Sequence, residues 1–217
     1  MKKLSFAIIG LFVILTTQVY AYDDGDFQVW NTENQEFKIN QKTKITLEEE
    51  FRWGDDAGEF YYHHYDAGFV YGLNKRLDLG VNYRQIYEKK KGKFKDENRP
   101  HLNAVLKYDF YGFKIEDRNR IEFRHFNYQA DFGRFRNKFT VKFPWKLTVL
   151  EIQPYLADEM FWDFQNKAFS RNRFYSGFGL NFTKSLKAEI YYMLQSSRSG
   201  NNWADTNVLG RKLKLVF

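Results

Sequence analysis

From residue 43 to its last residue the sequence repeats one pattern: short segments in which every second side chain is apolar, separated by turn residues. TKITLEEEFRW (43–53) sets Ile45, Leu47, Phe51 and Trp53 on one face and Lys44, Glu48, Glu50 and Arg52 on the other. A period of two belongs to an extended strand with one wet and one dry face; a helix would repeat every 3.6 residues. The alternation recurs over 59–73, 76–87, 99–110, 113–126, 132–143, 147–162, 168–183 and 185–196. It returns in a last strand carrying Leu209, Leu213, Leu215 and Phe217. The pattern predicts an all-β chain of antiparallel neighbours.

Two architectures alternate in this way, a β-sandwich and a transmembrane barrel. Beyond residue 21 no apolar run approaches the ~18 residues a membrane helix needs, and the chain has no Cys for disulfides or thiolate chemistry. Segments of about ten residues with a dyad repeat fit a transmembrane barrel. Closure then satisfies every backbone group in lipid without helices. Trp53, Tyr71, Tyr108, Phe143, Trp145 and Phe182 sit near strand ends, where a membrane girdle of aromatics belongs. The polar faces carry dense charge of both signs, as a lumen would. The connections LNKR, FYGF, FPWK and FTKS are short; GDDAGE, EKKKGKFKDENRP, NYQADFG, DFQNKA and SRSGNNWAD are longer and polar. With short turns on one side and long loops on the other, the sequence predicts a monomeric antiparallel barrel of about ten strands, ten to twelve at most, over 43–217. An even number is expected of a chain delivered into the periplasm.

Residues 1–21, MKKLSFAIIGLFVILTTQVYA, read as a secretory signal peptide: Lys2 and Lys3, an apolar stretch, and small residues before the cut after Ala21. Without those two lysines, 32 basic side chains stand against 27 acidic ones, a net of +5. Residues 22–42 fit an extra strand, a hairpin or a lumen insert. Five polar residues fall on the expected lipid face: Glu49, Asp117, Asn119, Asp158 and Arg211. A charge at mid-bilayer costs about 2–4 kcal/mol for Arg or Lys, so local bulges that shift the phase, or proximity to loops, are expected there. Gly210, Leu213, Leu215 and Phe217 resemble the signal by which outer-membrane assembly machinery recognises its clients.

At this point the residues suggest a family. RNRFYSGFGLNFTKSLKAEIYYM resembles the most typical segment of domain-of-unknown-function family 2490. LDLGVNYRQIYE, IEDRNRIEFR, FRNKFTVKFPW, IQPYLADEMFW and the opening FQVWNTENQEFKINQKTKITLEEEFRW resemble its other strands. The likeness spans nearly the whole chain after the leader. It implies a Gram-negative outer-membrane barrel and carries over no catalytic residues.

Chemistry is therefore sought in the lumen. Arg118, Arg120, Arg134, Arg136, Arg171 and Arg173 are expected to face Glu48, Glu50, Glu116, Glu122, Glu151 and Glu159, with Arg52, Asp66 and Arg84 alongside. A barrel of this size is close to filled by its own side chains. The cluster predicts either an ion-paired plug or a narrow passage that prefers anions, since rings of Arg and Lys select them. An outer-leaflet lipid-modifying enzyme and a loop-based binding scaffold are the alternatives. For catalysis, no spacing links Ser170, Ser176 or Ser196 to His63, His64, His101 or His125 as a nucleophile and base. His63 and His64, adjacent on a strand, point to opposite faces and cannot share a metal. No enzyme activity, metal or cofactor is expected. The expected partners are outer-membrane lipids, lipopolysaccharide phosphates for the basic segment KKKGKFKDENRP, and the assembly machinery. Nucleic acid is not.

Overall fold

The computed structural model describes residues 24–149 and 151–217; the expected signal peptide, and Leu150 within the expected strand 147–162, lie outside the described residues. Among the described residues eleven strands form one closed barrel. They are β1 (Asp26–Lys38), β2 (Thr43–Gly54), β3 (Glu59–Asn74), β4 (Leu77–Lys90), β5 (Lys93–Phe110), β6 (Phe113–Phe126), β7 (Phe132–Lys142), β8 (Gln153–Asp163), β9 (Ala168–Asn181), β10 (Leu186–Ser199) and β11 (Asn202–Val216). Each pairs antiparallel with its sequence neighbour, and β1 closes the ring against β11 in a parallel ladder from Asp26↔Thr206 to Glu36↔Val216.

The alternation places the core inside the ring and the apolar surface outside. Inward-facing Ile86, Met193 and Val208 are 0% exposed, whereas outward-facing Leu102, Phe174 and Phe178 are 47–50% exposed. Full closure leaves no strand edge, so the ladders satisfy the backbone without help from solvent. Within the open segment 22–42, Asp26–Lys38 form a strand. Asp26, Gln28, Trp30, Thr32 and Glu36 point inward and are buried, and this register lets β1 pair on both sides. The strand count is therefore odd, not the even number expected, and one ladder is parallel. At this seam Phe217 stacks on Phe37 at 4.9 Å, and its amide donates to the Glu36 carbonyl at 2.8 Å.

The expected contrast between short and long connections is not found. At the rim that holds Phe217, the C-terminal rim, the connections are 39–42, 75–76, 111–112, 143–152 and 182–185; at the opposite, distal rim they are 55–58, 91–92, 127–131, 164–167 and 200–201. The basic segment expected as a long loop is instead a hairpin. Lys90 pairs with Lys93 and Glu88 with Lys95, across a two-residue turn at Lys91 and Gly92 with φ of 50° and 78°. Two positive φ angles make the primed turn that suits the strand twist, and glycine takes the second at no steric cost. Tyr111 and Gly112 repeat the device, with φ of 48° and 83°. Conversely, FPWK is not a tight turn. Pro144 has no N–H to continue a ladder, and 143–152 forms a loop with a Leu147↔Ile152 bridge before β8 begins at Gln153.

The polar residues on the outer face stay where the alternation puts them. Register shifts occur only at Arg52/Trp53, Gly72/Asn74 and Phe161/Trp162, near the strand ends, so no bulge turns Glu49, Asp117, Asn119, Asp158 or Arg211 inward. Asp117, Asn119, Asp158 and Arg211 find partners sideways instead. Asn137 Nδ2 donates to Asp117 Oδ1 at 2.5 Å and to Asn119 Oδ1 at 3.0 Å. Asn172 donates to Asp158 at 3.0 Å, and Arg211 lies 4.0 Å from Glu33.

Candidate functional site

The lumen at mid-height is packed with charge. Every second residue of β6, β7, β8 and β9 projects there, and the registers Arg120↔Arg136↔Phe161↔Arg171 and Lys138↔Glu159↔Arg173 put successive residues side by side. Glu122, 0% exposed, accepts from Arg134 at 2.6 Å and from Arg136 at 2.7 Å. Glu159, 1% exposed, accepts from Arg118 and Arg136 at 2.7 Å each and from the Tyr175 hydroxyl at 3.0 Å. Glu97 binds Arg99 at 2.6 Å and Arg124 at 2.8 Å.

These three carboxylates serve seven arginines: Arg99 and Arg124 on Glu97, Arg99, Arg120, Arg134 and Arg136 on Glu122, and Arg118, Arg136 and Arg173 on Glu159. Aromatic faces take up part of the excess. The guanidiniums of Arg134, Arg136 and Arg173 sit 4.6–5.0 Å from the centre of the buried Phe161 ring, with Arg171 at 5.7 Å. Lys138 lies 3.7 Å from the Tyr175 ring. A ring face attracts a cation through its quadrupole without neutralising it.

The wall made by β2–β4 is balanced instead. Glu48 and Asp66 clasp Arg84 at 2.8 Å each. Glu50 pairs with Arg52, whose guanidinium covers Trp30 at 3.5 Å. His64 bonds Glu48 at 3.1 Å and Tyr62 at 3.1 Å. The lumen is thus polarised from side to side, acidic and neutralised along β2–β4, basic and in surplus along β5–β9.

Two cavities flank the packed layer. One of about 290 Å³ runs toward the distal rim and is lined by Trp30, Arg52, Lys138, Arg171, Arg173 and the loop residues Tyr128 and Gln129, among others. In that loop burial, with Glu88 and Glu97 nearby, pushes the Tyr128 hydroxyl up to about 12. The other, about 820 Å³, opens at the C-terminal rim and is lined by Lys114, Lys142, Lys146, Lys184, Lys187, Lys212 and Lys214 beside Glu116, Glu151 and Glu189, with Lys214 paired to Glu36 at 2.9 Å. Tyr155, Glu189 and Lys212 border both cavities.

Of the expected cluster, Glu48, Glu50, Arg52, Asp66, Arg84, Arg118, Arg120, Arg134, Arg136, Glu159, Arg171 and Arg173 all line the lumen and are buried or half-buried. Glu151 is the exception. It sits in the 143–152 loop with φ of 49° and pairs with exposed Lys146 at 2.9 Å, because β8 starts two residues later than it. Arg171 reaches Ser197 at 3.0 Å rather than a carboxylate. Gly210, expected only as part of a terminal signal, faces inward, and a Cβ there would stand 2.0 Å from the Tyr191 ring. Glu97 was missed because its segment read as a loop, Arg99 because it falls where that loop overlaps the start of the expected strand 99–110, and Trp30 because its segment was ambiguous.

The family described as "Protein of unknown function (DUF2490)" matches residues 27–206. The chain belongs to this family. No curated protein matches the chain. Among solved structures, an anion-selective porin from Comamonas acidovorans aligns with a TM-score of 0.39 at 11% identity, over 77% of this chain and 55% of that one. The DUF2490 chain thus spans about half the length of that porin.

Proposed function

We propose that this DUF2490 protein is a Gram-negative outer-membrane barrel with a narrow, anion-preferring lumen throttled at mid-height by its own arginine–glutamate layer. The observation that carries the reading is the arginine surplus on the β5–β9 wall, where Glu97, Glu122 and Glu159 are shared among seven arginines and Arg171 has no ion pair among the described residues. Excess fixed cations in a low-dielectric tube raise the local concentration of anions and repel cations. The lysine-rich cavity at the C-terminal rim extends the same field to one mouth. An outer-membrane location is supported by outward Leu, Phe and Tyr side chains around the ring and by rim aromatics such as Trp53, Trp162 and Trp203. With the C-terminal rim in the periplasm, the β4–β5 hairpin would offer Lys91, Lys93 and Lys95 to lipopolysaccharide phosphates outside. Gly210, Leu213, Leu215 and Phe217 would serve the assembly machinery.

The reading is non-enzymatic and needs no cofactor. Ser196 bonds Asp205 at 2.6 Å and His125 bonds Asp131 at 2.7 Å, each engaged away from the other. Reconstitution in planar bilayers under a KCl gradient tests it. Small steady currents whose reversal potential favours chloride are expected, and cation preference would overturn the proposal. Silence from a correctly refolded barrel would overturn conduction and leave the ion-paired layer as a permanent plug, a second reading that the short Arg–Glu distances favour.

A further inference from the structure

The deficit of negative charge is concentrated around the distal cavity. Lys138 and Arg171, which both line it, make no ion pair among the described residues: Lys138 has the Tyr175 ring and Arg171 has the Ser197 hydroxyl. Arg173 reaches Glu159 only at 3.6 Å. The Nε atoms of Arg118 and of the buried Arg136 have no hydrogen-bond partner, and both side chains border the same space. A buried guanidinium N–H without an acceptor, among cations without counter-charge, is costly unless an anion completes the set. Guanidinium forks match the oxygens of a phosphate-like group in pairs, and an ammonium adds a point charge. A space of about 290 Å³ is ample for such a group together with the water around it.

We propose that the distal cavity is a binding site for one small, multiply charged oxyanion of the phosphate or sulfate class, held between Lys138, Arg171 and Arg173 with Arg118 and Arg136 behind. The site rests on the reading that the lumen admits anions, and it adds to it a resting place. Small monovalent ions such as chloride bring too little charge and too few acceptor atoms to satisfy it.

The test uses the refolded barrel in detergent micelles, titrated calorimetrically with inorganic phosphate and sulfate against chloride of equal ionic strength. Lys138 and Arg171 are the residues to change, because neither neutralises a carboxylate and their removal strands none. Saturable binding of one phosphate per barrel is expected, with a rise in unfolding midpoint that chloride does not give. The K138Q/R171Q variant should bind at least tenfold more weakly while folding normally, and Lys187→Gln, at the other mouth, should stay within twofold of wild type. No saturable phosphate heat, or binding undiminished in K138Q/R171Q, overturns the site. Equal loss in Lys187→Gln also overturns it, since binding would then follow net charge and not this cavity. Binding without bilayer current removes the passage and keeps the site; current without binding does the reverse.

Discussion

Glutamate 122 is where the arginine layer is most exposed to a single change. Its side chain is 0% exposed and its two oxygens accept from Arg134 at 2.6 and 2.8 Å and from Arg136 at 2.7 Å; Arg99 and Arg120 stand at 3.8 Å. At an effective dielectric constant of 20 each close contact is worth roughly 5 kcal/mol before desolvation is subtracted. Glutamine keeps the shape, removes the charge and turns one acceptor into a donor that faces guanidinium donors. Arg136 retains Glu159, but Arg134 has no second carboxylate among the described residues. Breaking a buried pair from one side costs about 3–5 kcal/mol, and E122Q is expected within that range. Denaturant unfolding of barrels refolded in lipid vesicles, followed by tryptophan fluorescence, reads the change in midpoint at constant slope. The half-buried rim pair Lys89–Glu59, at 2.7 Å, is the control, and E59Q should cost less than about 1 kcal/mol. The E122Q/R134Q double variant should lose less than the sum of its singles. A stability of E122Q within about 1 kcal/mol of wild type would refute the claim that this layer is dry and mutually dependent.

Two further outcomes follow from local geometry. Tyr191 lies across Gly210, so Gly210→Ala should destabilise the refolded barrel by about 1–3 kcal/mol through overpacking, with partial rescue by Tyr191→Ala; a refolded G210A barrel of unchanged stability that fails only in cellular assembly would restrict Gly210 to signalling. In the distal 127–131 loop, the hydrogen bond from His125 holds the Asp131 carboxyl below the usual aspartate value. A depressed carboxyl contributes fully above its ordinary value and loses that contribution as pH falls through the lowered one. Protection of the Phe126 amide, which donates to Asp131 at 2.9 Å, should therefore fall in acid in hydrogen exchange, and Asp131→Asn should remove that dependence.

The barrel was legible because period-two alternation needs no tertiary knowledge: once one face is dry, the register of a strand fixes which residues point inward. That is why Arg134, Arg136, Glu159 and Arg173 were placed correctly from sequence. What failed was the ends of strands. Lys, Asp, Glu and Asn weaken β-propensity, so 88–98 read as a loop although its ladder partners hold it extended; Glu97 went with it. Glu151 failed for the converse reason, an apparent alternation carried past Pro144. The odd strand count was hidden in residues 26–38, whose outward Asn31, Glu33 and Gln35 break the expected apolar face. Which arginine meets which glutamate was not readable at all, because those pairs cross strands and depend on rotamers.

All of this depends on which side of the ring meets lipid. The chain has no Cys, so single cysteines can be introduced along β9 and β10 and spin-labelled in the membrane-reconstituted barrel. The account predicts that labels at Phe174, Phe178, Ile190 and Leu194 collide with lipid-soluble oxygen and that labels at Tyr175, Met193 and Gln195 do not, an alternation of period two. Equal accessibility at both sets, or the opposite phase, would contradict it.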